Sequence, residues 1–221
     1  MTRLLRHRRL LLFALSFCMA LSAPLTVAAQ TGPDSRSRQL LEQLESGDAL
    51  QQEQAAQELA AIASPTFVPD LARIFRAADN PRSSATVLGA IGSPAAMAVL
   101  VSGLADEALT PQRNAAQLIL LQMDSEAVPA LVVGLQNRSS LTRRHAAQVL
   151  GFIGSARAGN SLLRVARVDE DARVRQEAVW ALGEIGDARM RTALKGIARS
   201  DPDPDVRLEA EWAALRAGGE F

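Results

Sequence analysis

The sequence predicts an all-α protein, an α-solenoid of about six stacked two-helix repeats, and three observations carry that reading. A phrase, Val174-Arg175-Gln176-Glu177-Ala178-Val179-Trp180-Ala181-Leu182-Gly183-Glu184-Ile185-Gly186, returns in degraded form over residues 142–154, 111–123 and 206–218, every 31 or 32 residues. A fixed period of that size marks stacked units, each too small to bury its own apolar face alone. Helix-starting and helix-ending residues recur at matching places in each unit. Aromatic residues make up only 4% of the chain and tyrosine is absent, while Ala and Leu dominate, which favours closely packed helices over a sheet.

The first 29 residues do not join the repeat. Arg3, Arg6, Arg8 and Arg9 make a basic start, residues 10–21 are apolar apart from Ser16, and Val27-Ala28-Ala29 offers small residues for cleavage. That order is a secretory signal peptide over residues 1–29. An uncleaved anchor is the alternative, but Ser22, Pro24 and Thr26 interrupt a stretch barely long enough to span. Arg8-Arg9 also permits a twin-arginine reading, though the long leucine-rich run is what general export uses. Cys18 is the one cysteine. Lipidation there is disfavoured by bulky Phe17 before it, and its loss with the signal leaves a chain held by packing alone. The expectation is a periplasmic or secreted protein.

Removing residues 1–29 takes four arginines and no acid, leaving 20 basic against 24 acidic side chains. A nucleic-acid binder carries the opposite sign, and export would separate it from nucleic acid. Residues 30–37 read as a polar leader with Gly32-Pro33, residues 38–218 as the repeat domain, and residues 219–221 as a short tail.

Within residues 38–218 the second helices share a core position at Leu59, Leu88, Ile119, Leu150 and Leu182, with Ala214 in the atypical last unit. First helices supply the facing row Leu40, Leu71, Leu100, Leu131, Leu162 and Leu194, followed one turn on by Leu44, Phe75, Leu104 and Leu135. First helices are expected to open at Ser64-Pro65, Ser93-Pro94, Asp124, Ser155 and Asp187. Second helices are expected to open at Asp48, Asn80-Pro81, Thr110-Pro111, Ser139 or Ser140, Asp171 and Asp203-Pro204. Gly92, Gly154, Gly186 and Gly218 are expected to close second helices in the left-handed conformation. Gly89, Gly151 and Gly183 sit inside helices at one matching position, where each costs about 1 kcal/mol relative to Ala. A cost repeated at one place implies close approach of a neighbouring helix.

The phrase Asp171-Ala172-Arg173-Val174-Arg175 with Ala178, Ala181-Leu182-Gly183 and Ile185-Gly186-Asp187 resembles the short bacterial HEAT repeat named after phycobilin lyase subunits. Asp203-Pro204-Asp205-Val206-Arg207 matches its opening again, and Ala127-Val128-Pro129-Ala130-Leu131 resembles its first helix. The tetratricopeptide tyrosine and the ankyrin Thr-Pro-Leu-His turn are absent. The resemblance implies right-handed stacking, with second helices lining a concave face that binds partners. It also implies that Arg143, Arg175 and Arg207 pair with turn aspartates, for which Asp171, Asp203 and Asp205 are at hand. Deoxyhypusine hydroxylase resembles the same repeat but binds two irons through His-Glu pairs. Here the one histidine beyond the signal, His145, is followed by Ala146, so that site cannot be built. Bilin lyases are similar in repeat length, but nothing outside the repeats carries that likeness.

Two outward columns are candidate sites. Stepping about 100° per residue from Val174 puts Trp180 at about 240°, almost opposite the core stripe. Its equivalents are Gln57, Thr86, Gln117, Gln148 and Trp212. Exposed indoles make natural hot spots; alternatively Trp180 and Trp212 pack on each other or on Phe221 to seal the last repeat. The column at about 200° reads Glu53, Arg82, Arg113, Arg144, Gln176 and Leu208, with His145 beside the third arginine. It suits an acidic peptide gripped by guanidinium forks; the plainer alternative is a solvated face. Partner-binding residues are therefore Arg82, Arg113, Arg144, His145, Gln117, Gln148, Trp180 and Trp212.

No Ser-His-Asp set, phosphate loop or metal-ligand spacing is present, so no catalytic, cofactor or metal site is predicted. The function expected is an exported adaptor or scaffold, monomeric, holding a protein or peptide partner. It would take no nucleic acid, and no membrane unless the signal is kept. A non-catalytic accessory subunit of an enzyme is the alternative.

Overall fold

The computed structural model describes residues 33–105 and 110–219. All of them lie in the unit spanning Thr31–Phe221. The segment read as an export signal and Phe221 fall outside the described residues.

Twelve α-helices in six consecutive pairs fill the described chain: α1 (Ser35–Ser46) with α2 (Ala49–Ile62), α3 (Val68–Ala77) with α4 (Arg82–Ile91), and α5 (Pro94–Ser102) with α6 (Pro111–Gln122). They continue as α7 (Val128–Gly134) with α8 (Ser140–Ile153), α9 (Gly159–Val168) with α10 (Ala172–Ile185), and α11 (Arg191–Ser200) with α12 (Pro204–Arg216). Even-numbered helices pack each on the next from α2 to α12, and odd-numbered helices form the second layer. This is an α-solenoid. The core is the plane between the layers, where all six first-row leucines from Leu40 to Leu194 are at most 1% exposed. Leu59, Leu88, Leu150 and Leu182 face them at 0%.

Capping follows the sequence for most second helices. The side chains of Asp48, Thr110, Ser139, Asp171 and Asp203 each accept a backbone amide of the helix they open. The start of α1 differs from expectation. Asp34 accepts from the Ser37 amide, so the helix begins at Ser35 and the last three residues of the supposed leader belong to it. First helices α3, α7, α9 and α11 also start later than predicted, each preceded by one 3-10 turn. Asp124 is not a cap: it sits at φ 50° just after α6.

Gly92, Gly154 and Gly186 close their helices at φ 58°, 69° and 66°. Gly218 does not; Ala217 ends α12 in right-handed geometry and Gly219 takes the positive φ instead. At the end of α2 the left-handed position falls to Ala63, with φ 48°.

The mid-helix glycines sit where neighbouring helices come closest. A methyl group added at Gly151 would lie 3.0 Å from Cα of Ala181 on α10, and one at Gly183 would lie 3.0 Å from Cα of Ala213 on α12. Repeats five and six therefore dock backbone to backbone against the helix before them.

Candidate functional site

The last three repeats are tied by arginines at the Val-Arg position of the repeated phrase. Arg143 donates from Nε and Nη2 to the two carboxylate oxygens of Asp169, both at 2.8 Å, and from Nη1 to the carbonyls of Asn137 and Arg138. Arg175 repeats the pattern one unit on. Its Nε and Nη2 reach Asp201 at 3.0 and 2.9 Å, and its Nη1 donates to the Asp169 carbonyl at 2.9 Å. Arg207 donates to the carbonyls of Asp201 and Pro202. Asp169 and Asp201 thus each take one arginine on the carboxylate and the next on the backbone. The aspartates are not the Asp171, Asp203 and Asp205 expected. Those lie two or more residues later, where Asp171 and Asp203 cap α10 and α12; the residue just after the preceding first helix, its C-cap, is the one that points back along the stack.

Both pairs are buried, with side-chain exposures of 9% and 7% for Arg143–Asp169 and 10% and 5% for Arg175–Asp201. The bonds to Asp169 and Asp201 hold both guanidinium groups above their ordinary pKa. Burial pulls the Asp201 carboxyl up, but the Arg175 hydrogen bonds, the Asp203 amide and the charges of Arg175 and Arg207 together outweigh it and leave the group below its usual range. This ladder fixes the orientation of α8, α10 and α12, and so the surface they present.

That surface is an outward strip on every second helix, made by the positions two, six and ten residues into the phrase. Arg82 is exposed, and Arg113 and Arg144 are half-buried. Gln117, Gln148 and Trp180 are half-buried, and Trp212 is 48% exposed. The two columns read from the sequence are therefore both at the surface on adjacent helices. His145 is not. It is 4% exposed, and its Nδ1 lies 2.7 Å from the Leu104 carbonyl. A carbonyl only accepts, so Nδ1 carries the proton and Nε2 faces Nη2 of Arg144 at 3.4 Å. Held inward by the loop after α5, His145 supports Arg144 and is out of a partner's reach.

The ring partner of Trp180 is Phe152 rather than Trp212, and the packing on Phe221 considered from sequence lies outside the described residues. Trp180 packs edge to face on Phe152 of the preceding second helix, with ring centroids 5.1 Å apart at 70°. Phe152 is itself 57% exposed. Sequence reading passes over it, although its position lies only about 40° from that of Trp180 on the helical wheel. Glu177 is passed over as well. It is half-buried on α10 between Arg144 and Glu209, and burial, with a contribution from Glu209 and against the pull of Arg144, raises its pKa to about 7. On α12, Arg216 donates to Glu209 at 2.8 Å and stands 3.7 Å from Glu184.

Among the described residues no group of three His, Cys, Asp or Glu side chains is placed to hold a metal ion. No helix among them is long and apolar enough to cross a membrane.

The family model for HEAT repeats matches residues 106–172 and 128–214. Among solved structures, that of microtubule plus-end tracking by XMAP215, CLIP-170 and EB1 is 13% identical, with 84% of this chain and 94% of that chain covered and a TM-score of 0.52. Human deoxyhypusine hydroxylase is 21% identical over 85% of this chain and 86% of that one, at a TM-score of 0.47. The complex of CpcE and CpcF of phycocyanin lyase from a Nostoc species is 20% identical over 86% and 68%, at 0.43. No curated protein sequence matches the chain. Residues 106–214 thus carry HEAT repeats, and the six helix pairs continue the same two-layer pattern back to Ser35.

Proposed function

We propose that the chain is an exported, non-catalytic binding module, an adaptor or scaffold that holds a protein or peptide partner against its second-helix face. The observation that supports this best is the outward strip of α4–α12. It gathers Arg82, Arg113, Arg144, Phe152, Trp180 and Trp212 on adjacent, tightly packed helices. Rigid elements that carry guanidinium and aromatic groups at the surface are what partner anchoring needs. Export rests on residues 1–29 alone, with their arginines, apolar run and small residues in that order.

The test is capture of partners from the exported fraction, with an activity assay of what is caught, by the natural protein and by Arg113→Glu with Arg144→Glu. The reading expects cleavage before Gln30, a partner retained by the natural protein, and its loss with the double variant while helix content is unchanged. Retention by both proteins would move the binding site to the odd-helix layer or the loops. An intact, cytoplasmic amino terminus would remove export.

A further inference from the structure

The strip is divided by charge. With the residue three into the phrase added, the strip on α4, α6 and α8 reads Arg82, Ser83, Thr86 and Ala90; Arg113, Asn114, Gln117 and Leu121; and Arg144, His145, Gln148 and Phe152, of which Ser83 and His145 are buried. These include three arginines and no acid. On α10 and α12 the same positions are Gln176, Glu177, Trp180 and Glu184, then Leu208, Glu209, Trp212 and Arg216. These include three acids and one arginine, and that arginine is engaged by Glu209 and Glu184. The Phe152–Trp180 pair stands at the boundary, with Leu208 54% exposed beyond it.

We infer that the partner segment is an extended peptide whose carboxylates lie over α4–α8 and whose aromatic or large aliphatic residue seats on Phe152 and Trp180, an inference that rests on the binding-module reading above. Arginine forks grip carboxylates, whereas on α10 and α12 the strip sets three acids against Arg216 alone, which Glu184 and Glu209 already engage, so the face favours such a peptide in one register. Spacing follows from the helices. Packed helices stand about 8–10 Å apart, and a polyproline-II segment rises about 3.1 Å per residue with three residues per turn. Every third residue of the partner therefore points at the next helix. The expected pattern is acidic side chains three apart, then a large apolar side chain three residues beyond the last, within about a dozen residues.

The test is selection from a random peptide library of about that length on the purified protein, followed by affinity measurement of the enriched peptides. Enrichment of acids at three-residue spacing on one side of an aromatic or Leu supports the inference. So does binding at least about tenfold weaker to Arg113→Glu with Arg144→Glu, together with several-fold weaker binding to Phe152→Ala, both variants keeping their helix content. Enriched peptides that need the arginines but lack the apolar residue, or ignore Phe152→Ala, overturn this inference and leave the second-helix face as the site. Peptides indifferent to all three substitutions overturn both readings, and so does a library that yields no binder.

Discussion

Arg175 and Asp201 meet in a bidentate pair across the step from the fifth repeat to the sixth, Nε on Oδ2 at 3.0 Å and Nη2 on Oδ1 at 2.9 Å, with neither side chain more than 10% exposed. The same aspartate offers its carbonyl to Arg207. One residue therefore joins α10 and α12, helices of different repeats, to the turn between α11 and α12.

Loss of one member leaves a buried charge without its counter-ion. Asp201→Asn should lower the unfolding free energy by about 3 kcal/mol, whereas Glu58→Gln, at the exposed Arg36–Glu58 pair, should cost less than about 1 kcal/mol. Urea unfolding of the two variants makes the comparison. Because the folded Asp201 carboxyl sits below its usual pKa, its stabilisation is present above about pH 4 and is lost as pH falls further. The Asn variant should lack that part of the acid sensitivity.

Three glycines in helices should answer differently to alanine. At Gly151 the new methyl group would stand 2.6 Å from Cζ3 of Trp180 and 3.0 Å from Cα of Ala181, and at Gly183 it would stand 3.0 Å from Cα of Ala213. Overpacking against backbone costs about 1–3 kcal/mol, which exceeds the gain of up to about 1 kcal/mol from helix propensity. Both variants should melt lower. A methyl group added at Gly196 of α11 would meet nothing within 4 Å, so Gly196→Ala should melt higher.

Ala63 holds a left-handed conformation, φ 48° and ψ 38°, that glycine holds at the ends of α4, α8 and α10. Ala63→Gly should raise stability by about 1 kcal/mol, and Gly186→Ala should lower it by about the same amount. Thermal melts of the two variants should move in opposite directions. A drop with Ala63→Gly would mean that the entropy of the unfolded chain outweighs the strain.

Glu177 links the strip to pH. Its folded pKa of about 7 lies above the ordinary 4.5, so its contribution to stability is fully present below about pH 4.5 and is lost as pH rises through about 7. Glu177→Gln should match the natural protein at pH 5 and exceed it at pH 8.5, by no more than about 2 kcal/mol given its partial exposure. Equal stability at both pH values would place the carboxylate in contact with water.

The period, the six helix pairs, both leucine rows and the left-handed glycines at 92, 154 and 186 are legible in the sequence because they depend on local geometry. Helical periodicity, capping oxygens and the freedom of glycine act within a few residues, and the repeat shows each of them several times. The columns of Arg82, Arg113 and Arg144 and of Trp180 and Trp212 are legible for the same reason, since a helix that buries one side must show the other.

What the sequence leaves open is which side chains on adjacent helices meet. That Arg175 takes Asp201 rather than Asp203, that His145 turns inward to the Leu104 carbonyl, and that Trp180 packs on Phe152 all depend on the offset and rotation between neighbouring repeats. Those are set by how closely α8, α10 and α12 approach at Gly151 and Gly183. The sequence alone determined the repeat, its core and the residues each helix turns outward. The tertiary structure decided which of those residues are paired, buried or left at the surface, because pairing is a property of two helices and the periodicity of either one does not contain it.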